Sequence, residues 1–524
     1  MAAAPAENPA PPRDDTANKW LIAAAVMLAT IMEVIDTTIA NVALLHIRGS
    51  LSAGVDEAAW VLTSYIVANA IIIPLTGWCG AYFGRKRFFI FSILLFVFGS
   101  LMAGASPNLQ MLVFCRVLQG LGGGAMMPMS QAILMETFPP DQQAVAMSVW
   151  GMGMMIGPVG GPILGGWITD NYSWRWIFYI NVPIGVIAAL MVGVFVHDPS
   201  YLRRGIKKID WWGLWLLAAG IACVQVMLDK GERLDWFDSH LITALTAIGA
   251  IGLVLFVVRE LCTAEPIVNL RVLHNRTFAL GTMFTTIVMF GMYGTYILIP
   301  LFCQQISGYT PMLAGLVMSI QSFGTLLSII LAGRLFNKVD PRLMVTFGCL
   351  LAGIGSWYMA HFYVEIDFWS IAGPGILRGF GSGFIFIPLT TLSLSAVSVE
   401  NMGTASGLFN MVRTIGGSVG IAILVAMLTS GAQIHQSYLA AHVDPFQFSL
   451  LLHTSPSSSG IIANVTRHGT APMLGMVYME LQRQAAVMAF VDDFRIIAYL
   501  FFILTPVALF MHKPAARSAA HTGH

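Results

Sequence analysis

The chain is divided almost from end to end into apolar runs long enough to cross a membrane as helices. About 18–25 consecutive apolar residues suffice for a helix to span the hydrocarbon core of a bilayer. Fourteen such runs lie near residues 21–45, 58–79, 88–105, 109–134, 143–168, 176–196, 211–229, 240–258, 278–303, 312–333, 343–362, 369–396, 403–429 and 489–511. This pattern predicts an all-α integral membrane protein with 14 transmembrane helices.

Composition supports this class and argues against several others. Only 10% of the 524 residues are charged, whereas soluble domains carry about 25% charged residues. The net charge of +1 gives no electrostatic reason to expect nucleic-acid binding. The six cysteines are scattered singly, which predicts apolar packing and not a disulfide or metal framework. We therefore expect the lipid bilayer as a partner, no metal and no cofactor.

The loops indicate an orientation. Most of the 27 Lys and Arg residues fall on one side of the predicted membrane, which by the positive-inside rule is the cytoplasm and holds both termini. Residues 1–19 are polar and rich in Ala and Pro, lack a signal pattern, and are expected to form a disordered cytoplasmic tail. Residues 512–524 are expected to form a second cytoplasmic tail. The long outer loop at 430–488 is either an amphipathic cap or a tolerated insertion.

Two motifs recur eight runs apart. A glycine-bearing basic turn follows the second run at 77–87 (GWCGAYFGRKR) and the tenth at 333–342, while Arg116 and Arg378 precede glycines in the fourth and twelfth runs. This repetition predicts two pseudo-symmetric six-helix bundles, at 20–197 and 261–511, separated by two inserted helices within a linker at 198–260. Parallel repeats of six helices are typical of transporters, with a substrate site near the midplane between them.

The first run carries Glu33 and Asp36 near its middle, on the same predicted helix side as Thr37 and Asn41. A carboxylate at the centre of a membrane helix costs about 2.5–3.5 kcal/mol, so this stripe should face protein or a water-filled cavity. We expect at least one of the two carboxylates to take up and release a proton. Arg116 needs a buried partner and is expected to tune them, or else to form a structural ion pair.

Other residues are candidates for conformational or substrate roles. The fifth run is rich in glycine and contains two prolines, which favours a pliable hinge over plain tight packing. The basic turn either holds the bundles in one conformation or only follows the positive-inside rule. The candidate hinge and latch residues are Gly77, Gly84, Arg85, Lys86, Arg87, Gly153, Gly157, Pro158, Gly160, Gly161, Pro162 and Arg378. The candidate cavity residues, chosen by polar or aromatic type, are Asn41, Tyr65, Asn69, Gln131, Tyr293, Tyr296 and Gln321.

Neither ATP hydrolysis nor another enzymatic reaction is expected. No lysine follows a glycine anywhere in the chain, so the Gly-Lys-Ser/Thr ending of a phosphate-binding loop is absent. No nucleophile and base stand out at a suitable spacing.

Arg413 lies near Asn410 in the thirteenth run, from which its long side chain can extend to the cytoplasmic face.

Several segments together resemble a known family. They are residues 35–44 (IDTTIANVAL), 60–65 (WVLTSY), 74–78 (PLTGW), 116–120 (RVLQG) and 157–161 (GPVGG). In combination they resemble the fourteen-span drug:proton antiporters of the major facilitator superfamily, of the EmrB/QacA type. The resemblance spans the whole chain. One departure is Ala81, where the family's basic turn usually has Asp.

The resemblance implies a mechanism and partners. It implies two bundles that rock about a central site and export amphiphilic compounds across the inner membrane as protons enter. It implies Asp36 as the proton site, Arg116 as its modulator and residues 151–166 as the antiporter motif. It also implies, through the long outer loop, a periplasmic adaptor and an outer-membrane channel. The alternative is a transporter of the same fold for one metabolite, such as a siderophore or a fatty acid.

Overall fold

The computed structural model describes residues 19–198, 210–263, 266–442 and 471–509, which form helices joined mostly by short turns, with no strand among them. In chain order the helices are α1 (Lys19–Ser50), α2 (Val55–Phe83), α3 (Arg85–Gly104), α4 (Leu109–Gly123), α5 (Met126–Thr137), α6 (Gln143–Asn171), α7 (Trp176–Tyr179), α8 (Asn181–Phe195), α9 (Trp211–Lys230), α10 (His240–Cys262), α11 (Arg276–Gln305), α12 (Pro311–Leu335), α13 (Pro341–Met359), α14 (Phe368–Ser395), α15 (Met402–His442) and α16 (Ala471–Leu509). The predicted all-α class is confirmed for these residues.

Local sequence sets where several helices begin. The side chains of Asn108, Asn275 and Asp367 accept hydrogen bonds from backbone N–H groups in the first turns of α4, α11 and α14. Such caps satisfy donors that have no partner within the helix. Pro341 occupies the first turn of α13, where a missing N–H costs nothing.

Twelve segments among the described residues are long and apolar enough to span a membrane. They correspond to twelve of the fourteen predicted runs. The fourth run folds as two shorter helices, α4 and α5, with a turn at Gly124 between them. The fourteenth run lies in α16, where Asp492, Asp493 and Arg495 interrupt its apolar character. Both runs are helical, and the total of 14 spans stays a prediction.

The helices form an N-half, α1–α8, and a C-half, α11–α16. The halves meet where α2 and α5 pack against α15 and where α6 packs against α12. We call the end at which α2 meets α3 the basic end. Here Gly77 lies against Thr404, Gly407 against Ile73, and Gly333 against Ser148. Asn41, toward the opposite end of α1, is exposed. The halves are therefore closed against each other at the basic end.

The two inserted helices form a hairpin on the α2 side of this contact. Helix α9 packs along α10 and also against α2 and α15. Thr63 of α2 donates a hydrogen bond to the carboxylate of Asp229, and Gln225 Nε2 donates to Ser418 Oγ of α15 at 3.3 Å. Helix α9 is thus hydrogen bonded to one helix of each half.

Asp210 and Arg259 join the two ends of this hairpin. Arg259 Nε lies 2.9 and 2.8 Å from the two carboxylate oxygens of Asp210, and its second guanidinium nitrogen lies 2.7 Å from Oδ1. Asp210 also accepts the Gly213 N–H at 3.2 Å, which caps α9. These hydrogen bonds, that from Arg259 foremost, hold the pKa of Asp210 below its ordinary value.

Arg259→Gln is expected to lower the thermal unfolding temperature at neutral pH and to weaken its fall in acid. Because the folded-state pKa of Asp210 is depressed, its stabilisation is present above the ordinary Asp value of about 3.9 and is lost as the pH falls below it. Scanning fluorimetry between about pH 7 and pH 3 measures both effects. The exposed Arg271→Gln is the control. If Arg259→Gln and wild type give superimposable curves, the ion pair contributes no stability.

Candidate functional site

Asp36 is the centre of a buried polar network inside the N-half. Its Oδ2 lies 2.6 Å from Arg116 of α4, and its Oδ1 accepts hydrogen bonds from Asn181 of α8 at 2.6 Å and from Gln119 of α4 at 3.3 Å. All four side chains are buried. The carboxylate therefore faces protein, as the sequence predicts, and three donors hold it.

Arg116 is held as closely as its partner. Its Nε donates to the Val61 carbonyl at 3.0 Å and one terminal nitrogen donates to Gln119 at 3.0 Å. The guanidinium carbon lies 4.2 Å from the ring centroid of Tyr65, which adds a cation–π contact. A guanidinium keeps its charge, so the charge of this network changes only if the carboxylate is protonated.

Glu33, three residues before Asp36, has a different environment. Its Oε1 accepts a hydrogen bond from Asn69 at 3.1 Å, while Oε2 is buried without a hydrogen-bond partner among the described residues. Arg413, on α15 of the C-half, lies within electrostatic reach of it. Glu33 is therefore the less satisfied of the two carboxylates and lies close to the contact between the halves.

Arg413 is buried, which corrects the expectation that its side chain extends to the cytoplasmic face. Its guanidinium carbon lies 5.3 Å from the Trp150 ring centroid, and a terminal nitrogen lies 3.6 Å from the sulfur of Met127. Both neighbours belong to the N-half. The cation–π contact with Trp150 stabilises the guanidinium in the contact between the halves.

Gln131 connects the two halves. Its Oε1 accepts hydrogen bonds from Asn410 Nδ2 at 2.6 Å and from Ser406 Oγ at 2.8 Å, both on α15. The sequence analysis assigned Gln131 to the cavity, whereas the structure places it in this buried contact. Asn410 and Ser406 were not singled out as candidates, because only the packing of α5 on α15 brings them to Gln131.

The basic turn is built around Gly84, whose φ of +89° favours glycine. Arg85 is buried and forms an ion pair with Glu136 of α5, while the Lys86 N–H donates to Asp198 at 2.8 Å and Arg87 is exposed. Glu136 supplies the acidic partner in a chain that has Ala81 on the turn. The sequence did not predict the pairing of Glu136 with Arg85, because α3 and α5 are distant along the chain.

The other predicted cavity residues fall into two groups. Tyr65 and Asn69 lie beside the N-half carboxylates, and Asn41 donates to the Thr37 carbonyl at 3.2 Å toward the end opposite the basic end. In the C-half, Tyr293 and Tyr296 are half-buried with ring centroids 6.5 Å apart, and Gln321 is buried. Whether these residues contact a substrate stays a prediction.

The glycines of α6 pack it tightly against α1. A Cβ added at Gly157 would lie 2.9 Å from the Val34 carbonyl oxygen, and one at Gly161 would lie 2.6 Å from Thr38 Cβ. Gly153 faces Met27 in the same way, whereas a Cβ at Gly160 would meet open space. Pro158 and Pro162 lie within one continuous helix. The observed geometry is close packing, and a hinge motion of α6 stays a prediction.

Gly157→Ala is expected to destabilise the protein, and Gly160→Ala is its matched control. Either change favours the helix by up to about 1 kcal/mol, but only the first forces α6 away from α1. Overpacking of this kind costs about 1–3 kcal/mol. Thermal unfolding of the two purified variants should therefore differ, with Gly157→Ala the less stable. Equal stability would mean that α1 and α6 separate without cost.

Comparison with known proteins agrees with this architecture. The family model described as Major Facilitator Superfamily matches residues 26–421. Multidrug export protein EmrB of Escherichia coli (strain K12) is 35% identical over 493 residues, which is 94% of each chain. Fatty acid resistance protein FarB of Neisseria gonorrhoeae is 35% identical over 511 residues, covering 97% of this chain and 98% of that protein.

A solved structure has the same fold. The human organic anion transporter MFSD10 (TETRAN) superposes with a TM-score of 0.59 and 11% identity, covering 92% of this chain and 99% of that chain. At this identity the likeness concerns the fold alone. The family match over residues 26–421 and the near full-length similarity to export proteins establish the relationship. The chain belongs to the Major Facilitator Superfamily and, within it, to the family of EmrB-type multidrug export proteins.

Proposed function

We propose that the protein is a proton-coupled secondary active exporter, an antiporter, of drugs and other amphiphilic compounds across the inner (plasma) membrane. The observation that carries the proposal is Asp36, a buried carboxylate bonded to Arg116, Asn181 and Gln119 in the centre of the N-half. Intramembrane carboxylates are costly and mark proton pathways in transporters. The similarity to EmrB supports export of many compounds.

The proton acts by changing the charge of the N-half network. When Asp36 is ionised, Arg116 and two amide groups stabilise it. When Asp36 is protonated, the charge of Arg116 is no longer balanced, so the arrangement that was stable before becomes unfavourable. Glu33, with one carboxylate oxygen unpaired beside the C-half, is the second candidate proton acceptor. Each proton that moves down 100 mV supplies about 2.3 kcal/mol.

The position of the halves fits one stage of such a cycle. The basic end, rich in Lys and Arg, is the cytoplasmic end by the positive-inside rule, so both termini are cytoplasmic. Closure there by the contacts of Gly77 and Gln131 with α15 leaves the opposite end as the route for substrate release and proton entry. Rocking of the halves then exposes the carboxylates and the substrate to the cytoplasm.

A periplasmic adaptor and an outer-membrane channel are proposed as partners. Helix α15 has 41 residues, about 60 Å at 1.5 Å per residue, twice the thickness of the hydrocarbon core. Its far end exposes Ile434 and Tyr438, and α16 runs beside it with exposed Tyr478. These helix ends are the described part of the predicted 430–488 loop, whose residues 443–470 lie outside the described residues.

The test uses the purified protein in proteoliposomes with an imposed pH gradient. A fluorescent cationic amphiphile should accumulate only when the gradient is present, and an uncoupler should abolish accumulation. Accumulation that is independent of the gradient would contradict proton coupling. No accumulation of any compound in a chemically varied panel would contradict export.

The alternative function is transport, by export or import, of a single metabolite, such as a siderophore or a fatty acid, by the same fold. The similarity to a fatty acid resistance protein favours keeping it. Competition distinguishes the two, because unrelated amphiphiles should inhibit dye transport by a multidrug exporter, whereas only one chemical class should inhibit a dedicated transporter.

A further inference from the structure

Arg378 of α14 is fully buried in the C-half and is only partly satisfied. One terminal nitrogen donates to the carbonyls of Gly291 and Met292 on α11, at 3.2 and 3.3 Å. Nε and the other terminal nitrogen have no hydrogen-bond partner among the described residues. Because a guanidinium has five N–H donors, most of its hydrogen-bonding capacity is unused.

The corresponding arginine of the N-half has a counter-ion. Arg116 lies at the matching place in the repeat and pairs with Asp36 at 2.6 Å. Arg378 has no carboxylate partner within the described residues, and the phenol of Tyr296 is the titratable side chain within electrostatic reach of it. A buried cation without a counter-ion is costly, and in a membrane segment it indicates a functional site.

The neighbours of Arg378 supply further hydrogen-bonding groups but no acid. Gln321 of α12 packs against Gly375 and Gly379, on the turns of α14 that flank Arg378, and its Oε1 has no partner among the described residues. Rotation of this amide presents its NH₂ group instead. Tyr296 of α11 is half-buried, so part of its side chain is accessible from outside the C-half core. Guanidinium, amide and phenol together match an anion with several acceptor oxygens.

We propose that Arg378, Gln321 and Tyr296 form an anion subsite that binds the acidic headgroup of an amphiphilic substrate, a carboxylate, sulfonate or phosphate. The proposal rests on the proposed export function and adds a substrate class to it. Arg378 is enclosed in the described conformation, so the headgroup reaches it past Tyr296 when the halves move. Beside Arg378, the bound headgroup then occupies the position that corresponds to that of Asp36 beside Arg116 in the N-half.

The test compares matched substrates in proteoliposomes of neutral lipid. One is a fluorescent long-chain carboxylate, another is its methyl ester, and the third is a cationic dye. Arg378→Gln should raise the KM for the carboxylate about tenfold more than the KM for the ester or the dye, because a hydrogen bond to a charged group is lost. Arg378→Lys should restore part of the difference, since it retains the charge.

The outcomes separate this proposal from the export function. Equal increases in KM for all three substrates, or no increase for any of them, would overturn the proposed subsite. An effect of Arg378→Gln that appears only when anionic lipid is added would assign the site to a lipid headgroup and also overturn it. Gradient-driven dye transport by the wild type tests the export function independently. If Arg378→Gln does not fold, Gln321→Leu and Tyr296→Phe should show the same selectivity change.

Discussion

Asp36→Asn is expected to abolish accumulation driven by a pH gradient while downhill exchange of substrate stays measurable. The amide cannot exchange a proton, so substrate movement loses its connection to the proton gradient. The variant also leaves the buried charge of Arg116 without its counter-ion, and breaking a buried pair costs about 3–5 kcal/mol. Transport with and without the gradient, together with the unfolding temperature, measures both effects.

The double variant Asp36→Asn/Arg116→Gln separates the proton role from the structural role. It removes both charges from a site whose remaining groups are amides and a carbonyl. Replacement of both members of a buried pair is far less destabilising than loss of one. We therefore expect stability to recover while gradient-driven transport stays absent. If the double variant still accumulates dye against its gradient, Asp36 is not the proton site.

Gly77→Ala is expected to open the basic end and to reduce export about tenfold or more. A Cβ at Gly77 would lie 2.5 Å from Thr404 Cα and 2.6 Å from its nitrogen, so the methyl group meets backbone of the opposite half. Overpacking costs about 1–3 kcal/mol, and here the cost falls only on the closed conformation. Pulsed electron paramagnetic resonance between labels at Phe83 and Val339, with Cys262 replaced by serine, should report a longer distance.

Gly80→Ala, one turn further along α2, is the control for Gly77. Its added Cβ would lie 3.5 Å from Arg85 and Met129, which is ordinary van der Waals contact. The two variants share the same change in helix propensity. If both shift the label distance equally, the effect comes from α2 itself and not from the contact with α15.

The helical class and the burial of the key carboxylates were predictable from local sequence. Apolar runs of bilayer length predict helices irrespective of their neighbours. The cost of placing Glu33 or Asp36 in lipid predicts that both face protein, and both do. The requirement that a buried guanidinium has a partner predicted a buried partner for Arg116, but it did not distinguish Asp36 from Glu33 or from a carbonyl group.

Contacts between distant helices were not predictable in the same way. Glu136 pairs with Arg85, and Asn410 with Gln131, only because α5 packs beside both α3 and α15. A single polar side chain on a helix forms no repeating pattern, so the sequence does not indicate which distant residue it will contact. The glycines of α6 also illustrate the limit, since only the structure separates those that face α1 from Gly160, which faces open space.

The hydrogen bonds of α9 to Thr63 and Ser418 have an energetic consequence for the inserted hairpin. If one half rotates against the other, at least one of these bonds must stretch or exchange its partner, at a net cost of about 1 kcal/mol each. In the proposed transport cycle, the hairpin would thus bias the relative populations of the two states and the rate at which they interconvert.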